Sequence, residues 1–278
     1  MELRQCVHAA GRVLTRVLLH PGWRDAPPAA WTYLHLYLLG KRLTERRELA
    51  LLRSLIEPGM TIADVGANTG FYTLHMAASV GRAGRILAFE PDPYSHQLLE
   101  RRVRQRKLSN IRVYRLALGE QPGRATLYCS AFNRADNRLS QSHDEPHVEA
   151  CDVEVRTLDD VLSELGVPAV DAMKIDVQGN EAHVLRGAER TLRGGFRWLW
   201  LEFSPQHLRA AGSNPERFLR DLDASGLRLL EVSAEGRLEA VTDHRALVDR
   251  LGQGYGDLVV MPREARMPTT PPVQVGTS

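Results

Sequence analysis

The sequence predicts an α/β fold, a mostly parallel sheet covered by helices with one antiparallel strand at its edge. Three observations carry this expectation. Short apolar runs at Met60–Val65, Arg85–Glu90, Ile111–Leu116 and Val170–Val177 alternate with stretches of helical period. Gly66 and Gly70 separate the first run from the first such stretch, so the chain reads there as buried strand, tight loop and helix. Two late runs, Leu227–Val232 and Asp257–Met261, follow each other without a recognised helix between them, which suggests the antiparallel edge.

Composition bounds the rest. With 278 residues, 43% of them hydrophobic and 25% charged, the chain can bury the core of one large α/β domain and is not globally disordered. A net charge of +2 gives no support to a nucleic-acid footprint. Cys6, Cys129 and Cys151 are too scattered for a disulfide framework or a zinc site, which fits a reducing cytoplasm. Glu2, Arg4, Arg12 and Arg16 interrupt the apolar core that an export signal needs, and Ala29–Leu39 is too short to span a bilayer.

Taken in order, residues 1–57 are expected to form a helical cap from Val7–Leu19, Trp31–Leu39 and Thr44–Ile56, the last of these capped by Thr44. Residues 58–263 make the α/β domain, and 264–278, with three prolines and few apolar residues, a disordered tail. Pro91-Asp92-Pro93 ends the second strand and starts a helix over Tyr94–Lys107. Ala125–Tyr128 and Val153–Val155 read as short strands around Ser130–Ala150, a polar stretch too long for a routine connection and so a functional flap or disordered. His143 and His147 stand four apart within it, but Pro146 breaks the helix that would let them share a metal, so none is expected. Further helices are expected at Leu158–Leu165, Asn180–Leu192 and Pro215–Ala224, the middle one closed by Gly194-Gly195. Phe196–Phe203 is an apolar strand that contains Glu202.

The loop between the first strand and helix carries the chemistry. Asn68 stands where a dinucleotide loop has its middle glycine, and Asp64 puts a carboxylate at the strand end, where it would repel a pyrophosphate. That arrangement suits a cofactor bearing positive charge, such as S-adenosylmethionine with its sulfonium and ammonium groups. Glu90 follows Gly70 by about twenty residues, the spacing at which an acid holds ribose hydroxyls. Ala117-Leu118-Gly119 comes where an adenine ring would lie if the first two strands hold methionine and ribose.

Four motifs in succession carry a resemblance: Asp64-Val-Gly-Ala-Asn-Thr-Gly70, Ala88-Phe-Glu-Pro91, Ala117-Leu-Gly119, and Met173-Lys-Ile-Asp-Val-Gln-Gly-Asn-Glu181 running into Val184-Leu-Arg-Gly-Ala188. The chain resembles the FkbM-type methyltransferase family, a branch of the class I S-adenosylmethionine-dependent enzymes, from Thr44 to Met261. The resemblance implies a Rossmann-like, mostly parallel seven-stranded sheet and cofactor contacts at Asp64, Gly66, Ala67, Asn68, Gly70, Glu90 and Ala117. It also implies methyl transfer to a hydroxyl of a small natural-product or sugar acceptor. Where that family usually has glutamate this chain has Gln178.

Such a transfer needs near-attack geometry and a group to take the hydroxyl proton. Asp176, at the carboxyl end of the fourth parallel strand, is the candidate. Lys174, two residues earlier on the same strand face, would tune it, and Glu202 is a second candidate. Asp176 serves equally well as an N-cap for the helix at Asn180 or as a cofactor-positioning group. Glu181 and His183 read as dipole-matched or surface residues. A nicotinamide-dependent oxidoreductase and a catalytically silent binding domain stay open as alternatives.

Overall fold

The computed structural model describes residues 39–130, 137–139 and 147–267. The expected helices at Val7–Leu19 and Trp31–Leu39, His143, and all but the start of the tail lie outside those residues or nearly so. Residues 39–44 are helical, and a bend at Glu45 leads into α1 (Arg46–Leu55). Thr44 does not cap α1. Its hydroxyl donates back to the Gly40 carbonyl at 3.0 Å, because the preceding helical turn claims it first.

The chain then alternates: β1 (Thr61–Val65), α2 (Phe71–Val80), β2 (Arg85–Phe89), α3 (Pro93–Gln105) and β3 (Ile111–Tyr114). A smaller set follows, β4 (Ala117–Leu118), β5 (Gly123–Ser130) and β6 (His147–Arg156), before α4 (Leu158–Glu164), β7 (Ala172–Ile175), α5 (Glu181–Arg186), α6 (Glu189–Arg193) and β8 (Trp198–Phe203). The last elements are α7 (Pro205–Ala210), α8 (Pro215–Ala224), β9 (Leu227–Val232), β10 (Leu238–Ala240), α9 (His244–Leu251) and β11 (Gly256–Pro262). Sequence reasoning missed β4, β10, α7 and α9, all short.

The main sheet has the order β10-β9-β11-β8-β7-β1-β2-β3. β11 runs antiparallel between β8 and β9, and β10 adds an eighth strand at the edge, antiparallel to β9. β4, β6 and β5 form a separate three-stranded sheet. The expected short strand at 153–155 extends back to His147, and Ser130 pairs with His147, so residues 147–150 of the expected flap are sheet instead. Residues 131–136 and 140–146 of that flap lie outside the described residues.

Two apolar clusters cover the two faces of the main sheet. Ala63, Val65, Leu87, Phe89, Met173, Ile175, Leu199 and Leu201 face one; Ile62, Ile86, Ala88, Ala172, Trp198, Trp200 and Val259 face the other, where α1 and α2 pack. Strand alternation then places Asp64, Lys174, Glu202 and Asp257 on this second face as well. Adjacent pairing brings Asp64 beside Lys174 and Glu202 beside Asp257 at one rim of the sheet. The single helix expected over Asn180–Leu192 is two, broken at Gly187, which lies so close to the Gly119 carbonyl that a Cβ would stand 1.9 Å from it. Asp159 then holds the start of α6, accepting from the Arg190 and Thr191 amides at 2.7 and 2.9 Å.

Candidate active site

At the carboxyl ends of β1, β2 and β7 the chain encloses a cleft of about 890 Å³, counting the part open to solvent. Gly66 turns there at φ 79°, and its amide and that of Ala67 both donate to the Phe89 carbonyl at 3.0 Å. A side chain at Gly66 would meet the Asp176 carbonyl at 1.9 Å, so the loop after β1 touches the loop after β7 only because position 66 has none. Asn68 takes a left-handed conformation, φ 49°, and its amide donates to Glu90 Oε2 at 2.7 Å. The other oxygen, Glu90 Oε1, accepts from the Asp92 amide at 2.8 Å, so this one carboxylate fastens the loop and the start of α3 together. Burial pushes the Glu90 carboxyl up to about 8 despite those two bonds.

Of the cofactor residues expected from the sequence, Gly66, Ala67, Asn68, Glu90 and Ala117 line the cleft. Gly70 lies just outside it, at the start of α2, with Leu99 where its side chain would be. Asp64 stands behind the wall instead of in it. It is 0% exposed, because its strand face is covered by α2; Thr73 Oγ1 donates to its Oδ2 at 2.6 Å. Burial raises its carboxyl, opposed most by the Lys174 charge. The expectation that Asp64 faces the ligand is therefore corrected: alternation on a strand buried on both faces turns it into the core.

The three expected catalytic residues do meet. Lys174 Nζ lies 3.2 Å from Asp176 Oδ2, and Gln178 Nε2 donates to Asp176 Oδ1 at 3.1 Å and to Glu202 Oε2 at 2.7 Å. Asp176 does not cap α5, whose N-cap is Asn180 with no side-chain cap bond. Burial works against its charge, but Lys174 and Lys41 hold the Asp176 carboxyl below its usual value. Burial, then the nearby Asp176, Asp257 and Glu181 charges, push the Glu202 carboxyl well above its usual value. The two carboxyls of the pair are thus pushed in opposite directions, Asp176 toward its charged form and Glu202 toward its neutral one.

Sequence reasoning missed several residues here. Tyr72 packs under Lys174, with Nζ 4.7 Å from the ring centre, and its hydroxyl donates to Glu45 Oε2 at 2.5 Å. Lys41, Arg138 and Leu139 line the cleft from segments with no strand or helix signal. Arg138 is brought there by a two-bond bridge between its backbone and that of Tyr128. Asp257 accepts from Trp200 Nε1 at 3.0 Å, and burial raises it to about 6. Strand parity, read along an antiparallel β11, was the signal that places it at this rim. Glu181 is buried and not a surface residue: its Oε1 accepts the Val177 and Gly179 amides at 3.2 and 3.1 Å, and burial raises it to about 7.

The donor set fits a charged adenosine cofactor. Two backbone amides take up part of the acceptor capacity of the Glu90 carboxyl, and what remains, together with the O–H it carries below about pH 8, can engage a pair of vicinal hydroxyls. Phe89, Leu116, Leu118, Leu127 and Leu139 give an apolar wall for a flat ring, and Asp176 puts a negative charge into the same cleft.

Comparison with known proteins agrees. Residues 64–237 match the methyltransferase FkbM domain. The chain is 30% identical over 183 residues to the 2-O-methyltransferase NoeI of Sinorhizobium fredii, covering 61% of this chain and 73% of that protein. It is 30% identical over 147 residues to Methyltransferase 1 of Beauveria bassiana, covering 46% of this chain and 58% of that one, so it spans about three fifths of that relative. Methyltransferase FkbM from Methylobacillus flagellatus superposes with a TM-score of 0.48 at 17% identity, over 74% of this chain and 44% of that one. The match across most of the domain means that the chain belongs to the FkbM methyltransferase family, whose methyl donor is S-adenosylmethionine.

Proposed function

We propose that the protein methylates a hydroxyl group of a small natural-product or sugar acceptor, with Asp176 receiving the hydroxyl. The observation that carries this reading is the ionised Asp176 carboxylate in the cleft, held by Lys174 and Gln178 beside the loop that Gly66 and Asn68 form. The 2-O-methyltransferase named among the relatives supports oxygen as the acceptor atom. S-adenosylmethionine, when bound, supplies a methyl group on a positive sulfur. Glu90 and the loop 66–68 hold the adenosine end; Asp176 orients the acceptor oxygen and takes its proton as the new carbon–oxygen bond forms. With its charge stabilised by Lys174, Asp176 is a weak base, which suits a reaction whose proton leaves late and whose rate comes mainly from orientation.

The family assignment decides against a nicotinamide cofactor, and titration calorimetry checks it: S-adenosylmethionine should bind and NAD should not. Turnover on a panel of sugar and polyketide alcohols, read as S-adenosylhomocysteine release and a product heavier by one methylene, tests the activity. Methylation confined to amines or carbons would overturn the assignment to oxygen. Cofactor binding with no turnover on any acceptor would favour the catalytically silent reading.

A further inference from the structure

Gln178 is the residue that the mechanism above uses only as a neighbour, yet its geometry is unusual in three respects. Its backbone sits at φ 53°, in the left-handed region that a side chain disfavours. Its side chain is 7% exposed, and both amide hydrogens are committed to carboxyl groups on two different strand ends, Asp176 after β7 and Glu202 on β8. Its Oε1 is buried with no partner among the described residues. A buried amide that leaves its acceptor unsatisfied while holding two carboxyls costs stability, and a cost kept at a cleft marks a functional constraint.

Resting on the proposed role of Asp176, we propose that Gln178 is the positioning residue of the reaction: it separates Asp176 from Glu202 so that Asp176 alone carries the accepting charge. An amide nitrogen offers two donors and no charge, so it can satisfy both carboxyls together without supplying or taking a proton. Removing it lets the two carboxyls share one proton directly, as acids in contact do, and the accepting group then titrates as half of a pair. A glutamate at 178 would add a third carboxyl to the same space. The other groups facing Asp176 are the ammonium ions of Lys174 and Lys41 and the acids Asp64, Glu181 and Asp257, with Tyr72 and His207 also within its field. Gln178 is the group whose one amide nitrogen donates to both Asp176 and Glu202.

Two variants test this. Gln178→Gly removes the amide and suits the positive φ, so the backbone is not what it disturbs. Gln178→Glu adds the charge. Infrared titration of the carboxyl groups in cofactor-free protein, with the Asp176 band assigned through Asp176→Asn, should show that band protonating at a pH higher by about one unit or more in both variants, further in Gln178→Glu. The acid limb of kcat should move with it, and kcat should fall by about tenfold while the Kd for S-adenosylmethionine stays within about twofold. In Gln178→Glu, adding Glu202→Gln should move both readings back. If the Asp176 band titrates as in wild type in both variants, the proposal is overturned. The infrared arm needs no turnover: if it shifts as expected while no hydroxyl acceptor is methylated, the positioning stands and the assigned activity fails.

Discussion

The two loops at the heart of the cleft solve the same backbone problem and use the solution differently. Each leaves a strand, passes a non-glycine residue in the left-handed region, Asn68 at φ 49° or Gln178 at φ 53°, and is fastened by one buried glutamate that accepts two backbone amides. After β1 the glutamate, Glu90, comes from the neighbouring strand end, and Asn68 spends its own oxygen on the Thr69 amide at 2.5 Å. After β7 the glutamate, Glu181, comes from the helix that follows, and Gln178 turns to two other side chains. The first loop turns a side-chain oxygen back onto its own backbone at a surface that lines the cleft; the second gives its side-chain amide to a charge cluster. A surface of that first kind suits holding a cofactor, and a cluster of the second suits handling a proton.

The largest effect should fall on the second loop. Asp176→Asn keeps the shape and loses the charge, and turnover should drop by about 10²–10⁴ with cofactor affinity nearly unchanged. Near-normal turnover in that variant would assign the loop to positioning alone. Gly66→Ala attacks the contact between the loops. The added methyl meets the Asp176 carbonyl and the positive φ is disfavoured, so we expect a loss of at least about 2 kcal/mol in urea unfolding and weaker cofactor binding. A variant as stable as wild type would show that the loops move independently.

Glu90→Ala should weaken S-adenosylmethionine and S-adenosylhomocysteine alike, by about 1.5–3 kcal/mol in calorimetry, because both carry the ribose. Equal affinity in variant and wild type would remove the ribose assignment.

The smallest effect separates the two glutamates. Burial raises Glu181 from 4.5 to about 7, so the folded protein holds that proton more tightly than the unfolded chain. Stability from this group is present in full below the unfolded value and is lost as pH rises through the folded one, a slope of up to about 3 kcal/mol between pH 4.5 and 7. Both amides bind the same oxygen, Oε1, and Oε2 has no partner among the described residues, so Glu181→Gln should keep both bonds and flatten that slope in thermal melts. At Glu90 each oxygen has its own amide, so Glu90→Gln must set an NH₂ against a backbone N–H and should destabilise at every pH. Matching behaviour of the two glutamine variants would contradict the hydrogen-bond assignments.

Periodicity and spacing were enough to place β1, β2 and β7, the loop at 66–70, Glu90, and Asp176 with Lys174, because strand ends in a parallel sheet put such residues at one rim. They also read Pro215–Ala224 and Leu227–Val232 with the observed boundaries. Local pattern carries this information since each depends on neighbours in the chain: glycines in turns, apolar runs in strands, proline in a first helical turn. What it could not carry was contact between distant segments. Asp64 looks like a ligand group at the end of its strand, and becomes a core residue only when α2 covers that face. Glu181 looks like a helix-start surface acid, and becomes a clamp only when Val177 and Gly179 turn their amides toward it. The close approach at Gly187 depends on Gly119, and the upward push on Glu202 on burial and on charges from the end of β7, from β11 and from α5. Burial and the sum of neighbouring charges belong to the assembled fold, because they are set by what packs against a residue and not by what precedes or follows it.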